Sequence, residues 1–210
     1  MSRAASPLRP GTLKVVGISG SPTHPSRSTA LLRAALQRLT AAGASVADIE
    51  VRDLPAQALL GADWKNPEIV AALAKVAEAD VVLVATPIYK AAYSGLLKSF
   101  LDLLPEEGLR GKRIVPLATG GSLAHLLALD YALKPVLGAL GARQLLDAVF
   151  ATDAHFDVDE RLGRVPQPEV LARLDRALSP LLLKSDDFDE AVTAPQAHSV
   201  SHGVLERMSC

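Results

Sequence analysis

The feature that most constrains the fold is a short apolar, β-branched run, Asp80 to Ala85, followed at once by residues typical of a turn. Such a run indicates a strand buried on both faces, as in parallel sheets that are covered by helices. We expect Thr86 and Pro87 to end this strand, because proline cannot donate to a ladder. The next segment, Leu96 to Leu104, has helical character. The run therefore predicts a strand–loop–helix unit at the centre of the fold.

The loop of this unit, Thr86 to Gly95, concentrates aromatic residues. It holds Tyr89 and Tyr93, whereas the whole chain has three Tyr, one Trp and four Phe. In open α/β sheets ligands bind at the carboxyl ends of the strands, so the loop predicts a binding site. The alternative is a plain connection with incidental aromatics. Lys90 would face either an anionic cofactor or the solvent.

Predicted strands and helices alternate along the rest of the chain. The strands are 13–19, 45–54, 80–85, 113–119 and 142–150, and the helices are 29–39, one beginning at Pro67, 94–104, 122–140 and 169–183. We expect a connector over 55–66 and irregular structure over 153–168. This alternation predicts an α/β fold, a five-stranded parallel sheet with helices on both faces. The flavodoxin-like order 2-1-3-4-5 would bring the loops after strands one, three and four together at the switch point.

Composition bounds the domain organisation and the class of partner. The 210 residues are 49% hydrophobic and 21% charged, which predicts one globular domain over 13–184, a loose leader over 1–12 and a mobile tail over 185–210. A net charge of −1 and the lack of any long apolar run give no reason to expect a nucleic acid or a membrane as partner. The single cysteine, Cys210, fits a reducing cytoplasm. The histidines have no metal-ligand spacing.

The loop after the first strand is rich in hydroxyl groups just before a helix. Ser21, Ser26 and Ser28 are suited to a phosphate, because hydroxyls and free backbone N–H groups meet at a helix N-terminus. The chain lacks both the dinucleotide fingerprint and the P-loop, so a monophosphate fits better. The alternative is a cluster of helix caps with no ligand. Arg27 would add charge or be solvated.

The other two loops suit a flat ring. Tyr89 would lie beside the ring, and the backbone at Pro87 and Ile88 could approach its edge. After the fourth strand, Thr119-Gly120-Gly121 lets the backbone come close to a ligand, or is a plain strand-to-helix turn. A ring with a monophosphate on this frame points to FMN. No nucleophile motif is present, which fits redox chemistry carried by a flavin.

The predicted helix 122–140 has two unusual features. Pro135 leaves the carbonyl of Tyr131 without a donor, which predicts either a kink or π-bulge near residues 130–132, or a broken helix. The segment is also more apolar than one stripe requires, which indicates a helix-on-helix subunit interface. The apolar residues are Leu123, Leu126, Leu127, Leu133, Val136, Leu137 and Leu140. His125 is interpreted as a structural residue.

These stretches together resemble the NADPH-dependent FMN reductases of bacterial sulfonate-utilisation systems. The resemblance runs from about Val15 to Phe150 and is carried by the segments 20–28, 85–95, 101–106 and 117–137. It implies that NADPH reduces FMN, which then passes to a separate monooxygenase that desulfonates an organosulfonate. It also implies a homodimer or homotetramer, and direct hydride transfer from NADPH to the flavin with no catalytic side chain.

By position, the resemblance assigns a role to each candidate residue. The phosphate would be held by Ser21, Ser26 and Ser28, with Arg27. The isoalloxazine would be bordered by Pro87, Ile88 and Tyr89, with Thr119, Gly120 and Gly121 on its other flank. Tyr131 matches an interface tyrosine in a π-helix that bears on flavin release. One position departs from the family, because Thr23 stands where an arginine is usual. This removes a phosphate countercharge unless Arg27 compensates.

Three other functions remain open on the sequence. One is a quinone, azo-dye or metal reductase with tightly bound FMN. Another is a one-electron carrier like flavodoxin, against which the net charge of −1 argues because carriers tend to be acidic. The third is an FMN sensor or scaffold. The choice between NADPH and NADH is also open, since no arginine cluster for a 2′-phosphate is legible.

Overall fold

The computed structural model describes residues 12–161 and 163–182. The expected leader and tail lie outside the described residues, apart from Thr12, so the domain limits 13–184 stay a prediction. The strands are β1 Lys14–Ser19, β2 Ser45–Glu50, β3 Val81–Tyr89, β4 Ala92–Tyr93, β5 Arg113–Gly120, β6 Gln144–Leu145, β7 Val149–Thr152, β8 Phe156–Asp159 and β9 Gly163–Pro166. The α-helices are α1 Arg27–Ala41, α2 Ala56–Leu60, α3 Pro67–Glu78, α4 Gly95–Leu101, α5 Lys134–Ala139 and α6 Pro168–Leu182.

The central sheet confirms the flavodoxin-like α/β fold. Its strands run in the order β2-β1-β3-β5-β6, all parallel, with β7 also parallel to β5 and β4 antiparallel to β3. The predicted fifth strand, 142–150, differs, because it is divided into β6 and β7. Ile114 of β5 pairs with Leu145 of β6, and Leu117 of β5 pairs with Val149 of β7. Between these two pairs the edge segment has one residue more than β5, and this extra residue interrupts the ladder.

Alternate strand residues supply the two halves of the core. On one face Val81 and Leu83 pack with α1 and α6, through residues such as Leu32 and Leu174. On the other face Val82 and Val84 pack with the helices α3 and α4. Side chains of a strand alternate between its faces, so a strand that is apolar at every position needs helices on both sides. The predicted helices on both faces are therefore present.

The central strand is longer than predicted. It continues through Thr86 and Pro87 to Tyr89, and Pro87 pairs with Thr119 of β5. The expectation that proline would end the strand is wrong because β1 stops pairing with β3 at Ala85. From Thr86 onward one edge of β3 is free of the β1 ladder, and proline is tolerated at such an edge.

Two segments without strong periodicity are more regular than predicted. The connector 55–66 contains α2, and the polar segment 153–168 contains a 3₁₀ turn, Asp153–His155, and an antiparallel hairpin of β8 and β9. Most hairpin side chains are exposed, with Phe156 and Pro166 buried, so the apolar alternation that predicts strands is weak. The second strand also ends early, at Glu50 instead of Leu54.

The predicted helix 122–140 is three short pieces. A 3₁₀ turn over Leu123–Leu126 is followed by a π-helix over Leu129–Leu133 and then by α5. The continuous helix is therefore wrong, and the π-bulge near residues 130–132 is confirmed. Pro135 has no N–H to give to the carbonyl of Tyr131, and the wider π turn accommodates that loss. No helix in the described ranges is long and apolar enough to cross a membrane.

Candidate functional site

The carboxyl ends of β1, β3 and β5 meet, as the strand order predicts, beside the N-terminus of α1. They enclose a cavity of about 200 Å³, which we call the loop cavity. Its lining residues are Ser21, Thr23, Pro25, Ser26, Arg27, Pro87, Tyr89, Thr119, Asp153 and Arg164. Hydroxyl groups, two guanidinium groups and one aromatic ring therefore face a common space.

Six of the predicted site residues line this cavity: Ser21, Ser26, Arg27, Pro87, Tyr89 and Thr119. The other four of the ten predicted cofactor-binding residues are not among its lining residues. Ser28 is buried, with its hydroxyl 3.1 Å from that of Ser26, and Ile88 is buried and paired with Tyr93. Gly120 is buried where an added Cβ would lie 3.0 Å from both His125 and Phe150, whereas Gly121 is exposed with open space at that position.

The N-terminus of α1 leaves two donors unused. Ser26 caps the helix: its hydroxyl accepts from the Thr29 N–H at 3.3 Å and its carbonyl accepts from the Ala30 N–H at 3.0 Å. The N–H groups of Arg27 and Ser28 have no acceptor among the described residues. The first N–H groups of a helix lack partners within it, and together they favour an anion.

A buried hydrogen-bond network joins the first loop to the central strand. The Ser94 hydroxyl donates to the Gly20 carbonyl and accepts from the Leu97 N–H at 3.0 Å, which makes Ser94 the N-cap of α4. The Ser94 N–H donates to the Thr86 hydroxyl at 3.0 Å, and that hydroxyl donates to the Pro87 carbonyl at 2.9 Å. The phosphate-loop candidate and the tyrosine loop are therefore held in one fixed arrangement.

The predicted tyrosine loop is a tight hairpin. Tyr89 pairs with Ala92, and the two turn residues, Lys90 and Ala91, have φ of 50° and 64°. Positive φ at both central residues is typical of a type I′ turn, which usually takes Asn or Gly. The turn therefore stores strain next to the cavity. It leaves Tyr89 47% exposed at the cavity rim.

The charges of the cavity include two residues that sequence reasoning missed, Asp153 and Arg164. Arg27 forms an ion pair with Asp153, which follows β7. Burial lowers the pKa of Arg27, and the nearby positive charge of Arg164 lowers it further. Asp153 and Arg164 belong to the segment that was expected to be irregular. The only sequence signal for the hairpin that carries Arg164 is a weak alternation of apolar residues.

Thr23 lines the cavity, and its backbone is fixed from outside. Its carbonyl accepts a hydrogen bond from Arg52 at 2.6 Å, and Arg52 is also paired with Glu50. The guanidinium of Arg52 is therefore already engaged by the Thr23 carbonyl and the Glu50 carboxylate. Thr23 itself contributes a neutral hydroxyl to the lining.

Tyr131 lies in the π-helix and is 80% exposed. Leu123, Leu126 and Leu127 of the same region are also exposed, whereas Leu133 and Leu137 are buried in the core. We call the four exposed residues, Leu123, Leu126, Leu127 and Tyr131, the π-helix patch. The excess apolar character noted in the sequence therefore lies at the surface of the chain.

The cavity lacks an obvious acid–base catalyst. Its one carboxylate, Asp153, is paired with Arg27, and no histidine, lysine or cysteine is among its lining residues. Within residues 12–161 and 163–182, no group of three or more His, Cys, Asp or Glu could hold a metal ion. The arrangement can bind an anion and place a ring. It does not itself supply a nucleophile.

Comparison with known proteins relates this site to a family. Residues 13–157 match the family described as NADPH-dependent FMN reductase. A protein of Escherichia coli K12 named FMN reductase (NADPH) is 46% identical over 169 residues, covering 79% of this chain and 86% of the relative. A protein of the same name from Pseudomonas putida KT2440 is 44% identical over 191 residues, covering 91% of this chain and 93% of the relative.

A solved structure shares the fold at similar identity. The apo form of an NADH:FMN oxidoreductase, EMOB, superposes with a TM-score of 0.74 and 41% sequence identity, covering 83% of this chain and 91% of that structure.

Proposed function

This chain belongs to the NADPH-dependent FMN reductase family, and from that premise we propose that it reduces FMN with NADPH and releases the product to a flavin-dependent monooxygenase of the alkanesulfonate type. The enzyme class, an NAD(P)H-dependent FMN reductase, follows from the family. The observation that carries the proposal is the loop cavity, in which hydroxyls, free N–H groups and arginine face one space beside an aromatic ring.

The donor set of the cavity fits the phosphate of FMN. Ser21 and Ser26 offer hydroxyls, the first turn of α1 offers the N–H groups of Arg27 and Ser28, and Arg27 adds a guanidinium whose charge is balanced by Asp153. Charge-assisted hydrogen bonds of this kind are about twice as strong as neutral ones. A phosphate held there would leave the ring outside the small cavity, near the end of β3.

The strand ends would border the ring. We place it beside Pro87, Ile88 and Tyr89 on one side and Thr119, Gly120 and Gly121 on the other. The open space at Gly121 and the exposed ring of Tyr89 support this placement. When bound, FMN accepts a hydride from the nicotinamide. The chain contributes position and charge, and positioning of two reactants is itself a large contribution to rate.

We propose that the π-helix patch is a subunit interface of a homodimer or homotetramer, and that Tyr131 influences flavin release from there. Exposed apolar patches on a single chain mark sites of association. Four large exposed side chains within nine residues, Leu123, Leu126, Leu127 and Tyr131, support this placement.

The reaction is tested on protein that is checked for colour as purified and is then stripped of flavin. NADPH oxidation is measured at varied FMN concentration, with NADH in parallel. We expect colourless protein, saturation with FMN and a sequential kinetic pattern. Yellow protein that oxidises NADPH only when a quinone or azo dye is present would refute release of FMN as a product and favour a bound-flavin reductase. No NADPH oxidation in either assay would favour an electron carrier.

Transfer to a monooxygenase is tested by coupling. With a flavin-dependent alkanesulfonate monooxygenase added, we expect sulfite release that depends on NADPH, FMN and this chain together. Sulfite that does not depend on this chain would contradict the proposed role.

The interface is tested by the oligomeric state in solution. Leu127→Glu places a charge in the π-helix patch and should shift the protein toward monomer in light scattering. Val158→Glu is the matched control, since Val158 is a 73% exposed apolar residue on the separate β8–β9 hairpin. Equal behaviour of the two variants would argue against the patch.

A further inference from the structure

The β8–β9 hairpin delivers a second cation to the loop cavity. β9 lies against α1, and an added Cβ at Gly163 would be 3.6 Å from the Pro25 side chain, so the start of this strand lies close to the first loop. The next residue, Arg164, lines the cavity together with Ser21 and Ser26. Arg164 is exposed as a whole.

Arg164 is the cation whose charge is not already used. Arg27 is paired with the carboxylate of Asp153, so these two residues cancel in the cavity lining. Arg164 makes no ion pair with any residue in the described ranges. The remaining lining residues are neutral, so the net positive charge of the cavity depends on Arg164.

A phosphate monoester carries close to two negative charges at neutral pH, and the cavity without Arg164 would offer it hydroxyls and N–H groups but no net charge. An arginine that approaches a phosphate can donate two parallel N–H bonds, which provides both charge and orientation. Thr23, which also lines the cavity, supplies no charge of its own.

We propose that Arg164 binds the phosphate of FMN and provides the countercharge that the other lining residues together lack. This inference rests on the proposed function, because it assigns the cavity to FMN. It makes the β8–β9 hairpin part of the flavin site, and it makes Arg164 the residue that discriminates FMN from riboflavin, which has the same ring and no phosphate.

The test compares the binding of these two flavins to apo protein by the change in flavin fluorescence. Arg164→Ala should raise the Kd for FMN about tenfold or more, because the phosphate loses its charge-assisted hydrogen bonds. The Kd for riboflavin should change less than twofold. Arg161→Ala is the matched control: Arg161 is an exposed arginine of the same hairpin that does not line the cavity, and its removal should affect neither flavin.

A rescue variant separates charge from structure. Because Thr23 also lines the cavity, Thr23→Arg in the Arg164→Ala background should restore much of the affinity for FMN without changing that for riboflavin. The FMN affinity of Arg164→Ala should also depend less on salt than that of the wild type. An equal loss for both flavins, or no loss for either, would overturn the assignment.

A second phosphate source is distinguished in the same experiment. If Arg164 instead met the 2′-phosphate of NADPH, Arg164→Ala would keep its preference for FMN over riboflavin and lose any preference for NADPH over NADH. That result would overturn the inference and leave the reductase function intact. Failure of the proposed function would look different, because the wild-type protein would then not reduce FMN with either nucleotide.

Discussion

Ser94 is the residue whose removal should affect the site most directly without touching a ligand. Its buried hydroxyl donates to the Gly20 carbonyl and accepts from the Leu97 N–H at 3.0 Å, so one atom caps α4 and fixes the first loop. Ser94→Ala removes both bonds and adds no bulk. The buried carbonyl of Gly20 then loses this donor.

The expected loss has two parts. An N-cap serine contributes about 1 kcal/mol, and a buried polar group left unsatisfied costs about 1–3 kcal/mol. We therefore expect the free energy of unfolding to fall by about 3 kcal/mol, which corresponds to a decrease in Tm of about 6–12 °C in a chain of this size. Such a loss is a large part of the total stability of an ordinary domain.

The assay is urea unfolding of apo protein, followed by circular dichroism. Ser99→Ala is the matched control, because its hydroxyl donates locally to the Leu96 carbonyl of the same helix at 2.9 Å. We expect this control to lose less than about 1 kcal/mol, with the slope of unfolding free energy against urea unchanged in both variants. A Ser94→Ala variant no less stable than Ser99→Ala would refute the reasoning that Ser94 links the loops.

Three further predictions concern the same region. Gly20→Ala places a Cβ 2.5 Å from the Leu97 Cβ, so we expect a loss of roughly 1–3 kcal/mol in urea unfolding, whereas Gly95→Ala, with no atom within 4 Å, should be close to neutral. Ala91→Gly relieves a φ of 64° and should stabilise by about 0.5–1 kcal/mol, while Ala92→Gly in the adjoining strand should destabilise. The affinity for FMN, measured by fluorescence titration, should fall by roughly tenfold from pH 8 to pH 5, whereas the affinity for riboflavin should not fall. The reason is that the phosphate gains a proton near pH 6 while arginine stays charged. Equal pH dependence of the two flavins would contradict a phosphate-binding cavity.

Local rules predicted the parts of the fold with strong signals. The predicted helix 29–39 lies within α1, Arg27–Ala41, and α3 begins at Pro67 as predicted. Pro135 cannot donate to the carbonyl of Tyr131, which indicated a kink, a π-bulge or a break in the helix, and the structure has a π-helix there. The same rules failed at Pro87, because whether a proline ends a strand depends on where the neighbouring strand stops pairing.

The candidate site shows the same division. The hydroxyl-rich loop and the two tyrosines identified the carboxyl ends of β1 and β3, and the structure brings six predicted residues to one cavity. Asp153 and Arg164 were missed because the hairpin that carries the arginine has few buried side chains and therefore little apolar alternation.

The sequence by itself determined the layered α/β architecture, because a strand that is apolar at every position must be covered on both faces. It also determined the loops at which a ligand would be bound, since parallel strands bring their carboxyl ends to one edge. The tertiary structure alone decided which charges face the cavity. Arg27 is distant in sequence from Asp153 and Arg164, and no local pattern specifies that Arg27 pairs with Asp153 while Arg164 makes no ion pair with any described residue.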